Sequence, residues 1–161
     1  MSFLDTLLGR KHPPMIGLDI SSSSVKLVEL SQDASGNYTL ERFAAESFEK
    51  GWIVDGQIEK FDEVADAVKR VVVKSGTRTK NVVMAMPQSA VITKKIMLPA
   101  GLREEELELQ VEAEANQYIP FSLDEVSLDF CVVGPSPTSV GDVEVLIAAS
   151  RKDRVQDRQG L

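Results

Sequence analysis

Met15 to Leu30 reads MIGLDISSSSVKLVEL: a strand, a tight turn of four serines and a second strand. An apolar strand ends in a carboxylate, Asp19. Ser21 to Ser24 turn the chain, and Lys26 stands just inside the returning strand. Phosphate suits this combination: a tight turn of small hydroxyl residues presents backbone N–H groups and hydroxyls in a concave cluster, and an ammonium adds charge. The carboxylate of Asp19 suits a hydrated Mg²⁺, which keeps most of its waters and takes few protein ligands. The same residues also make a plain hairpin. In that reading Ser21 to Ser24 satisfy their own backbone, Asp19 forms an Asx turn and Lys26 is a solvent-facing strand lysine. Spacing alone leaves both readings open.

From Val25 to about Leu30 the chain returns as a second strand. Asp33–Asn37 is a turn into a third, Tyr38 to Ala45, which completes an antiparallel meander. Phe48 to Glu59 shows no period and reads as a loop, with Trp52 as a lid over the core in preference to a partner anchor. Phe61, Val64, Ala65, Val68, Val71 and Val72 recur at helical spacing, and Ser75-Gly76 stops that helix. Asn81 to Met86 is a short β run closed by Pro87. A strand, a crossover helix and a strand predict that this run pairs parallel with the meander. Residues 15–87 therefore read as three antiparallel strands, a crossover helix and a parallel fourth strand.

After Pro87 a second unit is expected. Ala90 to Leu98 alternates as a strand, and Pro99-Ala100-Gly101 breaks it. Arg103 to Tyr118 is a helix with Leu107, Val111, Ala115 and Tyr118 on one side. Its first-turn glutamates oppose the positive end of the helix dipole, and Pro120 ends it. Two further strands, Val126 to Val133 and Val143 to Ala149, are joined by GPSPTSVGD. Cys131, within the first of them, is expected to be a small core residue. Residues 151–161 begin a helix with almost nothing apolar to bury, so the chain is expected to have been cut there. No internal repeat joins the two units.

Composition narrows the function. The 161 residues are 43% hydrophobic and 27% charged, in the range of an ordinary globular chain. A net charge of −7 argues against nucleic acid and against adsorption to an anionic membrane. One cysteine excludes an internal disulfide, and with one histidine, His12, a structural zinc site is out of reach. No apolar run approaches the ~20 residues of a membrane-spanning helix. Residues 1–14 form an N-terminal tail without the features of a signal peptide. Phe3, Leu4, Leu7 and Leu8 give it a short apolar face, suited to a frayed helix resting on the domain or to a docking turn. The acidic helix from Arg103 to Glu114 reads as a solvated face. No general acid–base constellation, Walker loop or dinucleotide glycine fingerprint is present.

GLDISSSSVKLVEL resembles the first phosphate loop of the actin-like ATPases, the group that includes actin, heat-shock chaperones, sugar kinases and the cell-division protein FtsA. Many kinases of that group carry glycine where this chain has Ser21, a change familiar in the branch of type IV pilus assembly proteins called PilM. AVITKKIMLPAGL (Ala90 to Leu102), EAEANQYIPFSLDEVSLDF (Glu112 to Phe130) and VEVLIAASRKDRV (Val143 to Val155) are similar to PilM signatures in the same order. The resemblance implies an α/β chain: an actin-like, ribonuclease H-like first lobe with subdomain 1A at residues 15–87, then a small FtsA-like 1C subdomain at 88–150. It implies ATP with Mg²⁺ as the ligand, Asp19 near the metal through water, and Ser21, Ser22, Ser23 and Lys26 about the phosphates. It implies a non-catalytic scaffold, cytoplasmic and peripheral to the inner membrane, in the machinery of pilus-driven twitching motility. The implied partner is the N-terminal tail of PilN, held in a groove between 1A and 1C, so that the membrane is met only through a partner. Family members are about twice as long, and the surfaces left bare favour homo-oligomers. A sugar or metabolite kinase on the same scaffold, and the actin-like cytoplasmic component of type II secretion, are the alternative readings.

Overall fold

A computed structural model describes residues 14–161, so the tail residues Phe3, Leu4, Leu7, Leu8 and His12 lie outside the described part. The chain divides into two units. One takes in the residues up to Val54 together with Ile58–Ala85, and the other Asp55–Gln57 with Met86–Leu161.

The first unit opens with the meander: β1 (Met15–Ile20), β2 (Ser24–Gln32) and β3 (Tyr38–Ser47), joined antiparallel. Asp33 accepts the N–H groups of Ser35 and Asn37, each at 2.9 Å, and so fixes the turn between β2 and β3. The stretch expected to be a loop instead holds a short hairpin, β4 (Ile53–Val54) and β5 (Gln57–Ile58). Asp55 and Gly56 both take positive φ, 50° and 78°, which is the turn that an Asp-Gly pair favours between strands. The period was hidden because each strand has two residues. Helix α1 (Phe61–Ser75) follows and ends where Gly76, at φ 65°, donates its N–H to the carbonyl of Val73.

Strand β6 (Asn81–Met84) then pairs parallel with β1, Ile16 beside Val82, giving the sheet order β3-β2-β1-β6. Ile16, Leu18, Val25, Leu27 and Ala44 point from one face of the sheet, and Val64, Ala67, Val68 and Val71 of α1 are buried with them. Burying each large aliphatic side chain of this set contributes about 1.5–3 kcal/mol. Phe61, expected on the buried face, is exposed, because it occupies the first position of α1, ahead of the buried stripe that starts at Val64.

The opposite face carries no helix among the described residues. A bulge shapes it: Glu29 faces Arg42 but Leu30 faces Leu40, so Glu41 is an extra residue in β3. The bulge sets Leu40 and Phe43 on the same face, although three positions separate them.

The second unit is built on a separate three-stranded antiparallel sheet in the order β7-β9-β8. Gln88–Ala90 form a 3-10 turn, so β7 (Ile92–Pro99) starts later than the alternation predicts and runs through Pro99. Helix α2 (Glu104–Tyr118) follows. β8 (Val126–Pro135) and β9 (Asp142–Arg151) both extend beyond their expected ends. Ile96, Leu98, Val145 and Ile147 of the sheet pack with Val111 of α2. Ala115, Ile119, Val126 and Ala149 form a second cluster. Tyr118 is exposed instead of Ile119, and Lys94 lies 4.5 Å from the centre of its ring.

Cys131 is exposed, contrary to the core position expected. Along β8 the core takes Val126, with Leu128 and Phe130 packed against it, so the odd-numbered Cys131 faces away. A last helix, α3 (Lys152–Gln159), buries not an apolar residue but Arg158, whose Nη2 donates to the carbonyl of Gly56 at 3.3 Å.

Candidate functional site

The hairpin register places Asp19 directly across from Lys26, because β1 and β2 pair residue for residue from Ile16–Glu29 to Ile20–Val25. Lys26 Nζ donates to Asp19 Oδ2 at 2.9 Å, and the two side chains are 52% and 64% exposed. Exposed pairs of this kind are weak, in the range of about 0–1 kcal/mol. The ammonium therefore has donors to spare and little to lose on leaving the carboxylate.

The bend itself is closed by Ser21. Its N–H and hydroxyl both donate to the carbonyl of Ser24, at 2.9 and 3.1 Å, and its Oγ lies 3.2 Å from the hydroxyl of Ser24. Ser23 also turns inward: its N–H points at Ser21 Oγ at 3.5 Å and its carbonyl accepts the N–H of Phe48. Ser22 and Ser23 are exposed. Of the five residues singled out in the sequence, Asp19 and Lys26 meet, Ser21 bonds within the turn, and Ser22 and Ser23 stand at its surface.

Beside the pair lies a feature that sequence reasoning missed, an open concavity of about 430 Å³. Gly17, Leu18, Val28 and Val83 line it, with Asp19 and Lys26 at its polar end. Its cause is the missing side chain at Gly17, which sits between Val28 on β2 and Val83 on β6. A Cβ there would lie 3.2 Å from Val28 Cγ2. The signal in the sequence was this one glycine inside a strand.

A second cavity, of about 250 Å³, belongs to the second unit. Ile92, Phe121, Val126 and Ala149 give it an apolar floor, and Arg151 and Arg154 charge its rim. The Arg151 guanidinium lies 5.7 Å from the ring centre of Phe121, and its Nη2 is held by Asp153 at 2.6 Å. Ser150 Oγ donates to the carbonyl of Ala90 at 2.7 Å, which ties β9 to the segment leading into β7. Most of these residues fall in the three stretches similar to PilM signatures, but they come from separate parts of the chain, and the sequence did not show that they meet.

Elsewhere Glu29 is held below the ordinary carboxylate range, first by the hydroxyl of Thr79, which donates to it at 2.7 Å, then by Thr77 and by the charge of Arg42. Its Oε2 has no hydrogen bond and faces Arg42 Nε across 3.5 Å. Glu106 is lowered likewise by the side chain and backbone N–H of Arg103 at the start of α2. Among the described residues no group of three or more His, Cys, Asp or Glu is placed to hold a metal. The donor set at the bend, one exposed carboxylate with hydroxyls nearby, fits an Mg²⁺ held through its own waters. No helix of the described residues is long and apolar enough to cross a membrane.

Comparison with known proteins agrees with the fold. Residues 17–161 match the family described as type IV pilus assembly protein PilM. A solved PilM-PilN type IV pilus biogenesis complex is similar to 90% of this chain, with 32% identity and a TM-score of 0.77. The match takes in 42% of that structure's chain, so the present sequence spans well under half of its length. Diol dehydratase-reactivating factor in nucleotide-free form gives a TM-score of 0.34, at 18% identity over 55% of this chain and 14% of its own. That likeness is too slight to bear on the argument. The three-stranded meander with its parallel fourth strand is the start of the actin-like fold of PilM, and this chain belongs to the type IV pilus assembly protein PilM family.

Proposed function

We propose that the chain is the first part of a nucleotide-binding scaffold in type IV pilus assembly, one that takes up the N-terminal tail of a PilN-type inner-membrane partner. The observation that carries this reading is the likeness to the PilM-PilN complex across nine-tenths of the chain. On this reading the protein works on the cytoplasmic side of the inner membrane and reaches the membrane through its partner.

When bound, Mg–ATP supplies a polyphosphate chain and a hydrated cation. Lys26, free to leave Asp19, would neutralise phosphate oxygens, and Asp19 would hold the hydrated cation through its waters. Ser22 and Ser23 offer exposed hydroxyls, while Ser21 keeps the bend in shape. Among the described residues lining the concavity beside the bend, Asp19 is the one carboxylate and the rest are aliphatic or glycine apart from Lys26, which favours binding over turnover. Nucleotide then acts as a ligand that shifts the population of binding-competent states. The tail of the partner is assigned to the cavity of the second unit, its apolar side chains on Phe121 and Val126 and its polar groups at Arg151 and Arg154.

Isothermal titration of the chain with a synthetic PilN tail tests the partner half. The expected result is a saturable heat that Phe121→Ala weakens by roughly tenfold or more, as loss of a buried aromatic anchor does. No heat at high peptide concentration with the chain folded contradicts it.

A further inference from the structure

We infer that two copies of this chain pair through the outer edges of β3, in one antiparallel register centred between Glu41 and Arg42. The inference does not depend on the nucleotide or partner reading. Among the described residues β3 has a neighbour on one side only, so its other side offers unpaired N–H and C=O groups. At one end Lys74 Nζ already takes the carbonyl of Ala45 at 3.1 Å, which leaves the stretch from Thr39 to Ala44 open.

The bulge decides the register. A two-fold axis normal to the sheet pairs residue i with residue S−i, and paired residues must lie on the same face. Tyr38, Leu40 and Phe43 stand on the helix-free face with their β2 partners Gln32, Leu30 and Val28. Arg42 and Glu41 stand on the other, where Arg42 meets Glu29 and Ser75 and Glu41 accepts from Ser31 Oγ at 2.6 Å. In an unbulged strand only even sums would match faces. With Glu41 inserted, even sums fail at the centre, and of the odd ones the sum 83 alone puts like faces together. It sets Leu40 against the second copy's Phe43, and Glu41 against the second copy's Arg42.

That register is also the one with complementary charge and apolar contact. It makes two Glu–Arg pairs on one face. On the other it gathers Leu40 and Phe43 of both copies into a cluster across the axis. In the single chain these two residues are 54% and 73% exposed, beside their exposed β2 partners Leu30 and Val28, and contiguous apolar surface of this kind marks a site of association. Cross-strand pairs of both kinds favour association.

Sedimentation equilibrium of the chain across a concentration series tests the dimer. A monomer–dimer equilibrium is expected, weakened roughly tenfold by Glu41→Arg, which faces the second copy's Arg42 with like charge while circular dichroism stays unchanged. Cysteine cross-linking tests the register. On a Cys131→Ser background, Leu40→Cys with Phe43→Cys should give an oxidised dimer, and neither single variant should, because like positions lie too far apart for a disulfide. A folded chain that stays monomeric at every concentration overturns the inference. So does a dimer indifferent to Glu41→Arg, or one whose single cysteine variants cross-link as readily as the double.

Discussion

Lys26 and Asp19 form a pair that is close but exposed, so its effect on stability can be measured apart from the nucleotide role proposed for it. Lys26→Met should change the urea-unfolding free energy by less than about 1 kcal/mol, because an exposed ion pair contributes little. The same change should weaken Mg–ATP binding clearly. Glu29 is a different kind of carboxylate. Its pKa lies below the ordinary 4.5, with Thr79 as the first cause, so the folded chain holds fewer protons there than the unfolded chain. Its contribution is complete above pH 4.5 and is lost as the pH falls through the lowered value. Thr79→Val should therefore flatten the acid limb of the stability curve, as read from urea midpoints against pH. Cys131 offers a further check. Being exposed, it should react with a thiol reagent in the folded chain about as fast as in urea. In the sequence it looked like a core residue because an apolar run hides which parity faces inward, and only the pairing of β8 with β9 settles that.

Elements were legible wherever their period was long enough to register. The meander, α1, the parallel β6 and α2 all follow from patterns extending over several residues. The β4–β5 hairpin did not, and its Asp55-Gly56 pair was the signal available. Termination by Gly76 was readable and carries a prediction. Gly76→Ala should cost about 1–2 kcal/mol for the left-handed backbone alone. The added Cβ would also sit 3.3 Å from Arg42 Nη1, which disturbs the contact between Arg42 and the carbonyl of Ser75. Denaturant unfolding measures both effects together, and Arg42→Met with Gly76→Ala separates them. The serine bend was the most readable element. Its strand–turn–strand form is built by neighbours in sequence, and a hairpin register needs no distant residue to bring Asp19 opposite Lys26.

At the scale of the whole molecule, two clusters of aliphatic side chains stand on separate sheets. Leu27→Ala in the first and Ile147→Ala in the second should each cost about 2–5 kcal/mol, as large-to-small changes at buried sites do. Neither cavity was found from the sequence, although Gly17 inside a strand was a signal for the first. One depends on the absence of a side chain at Gly17, the other on residues as far apart as Asp55, Phe121 and Arg154. Whether the bend takes phosphate decides the nucleotide-binding role proposed for the chain. Titrating Mg–ATP into the ¹⁵N-labelled chain, up to millimolar concentration, detects even weak binding residue by residue. Saturable shifts confined to the amides from Asp19 to Lys26, and abolished by Lys26→Met, are the result predicted. A spectrum unchanged at the bend, or shifts that gather elsewhere, would contradict it.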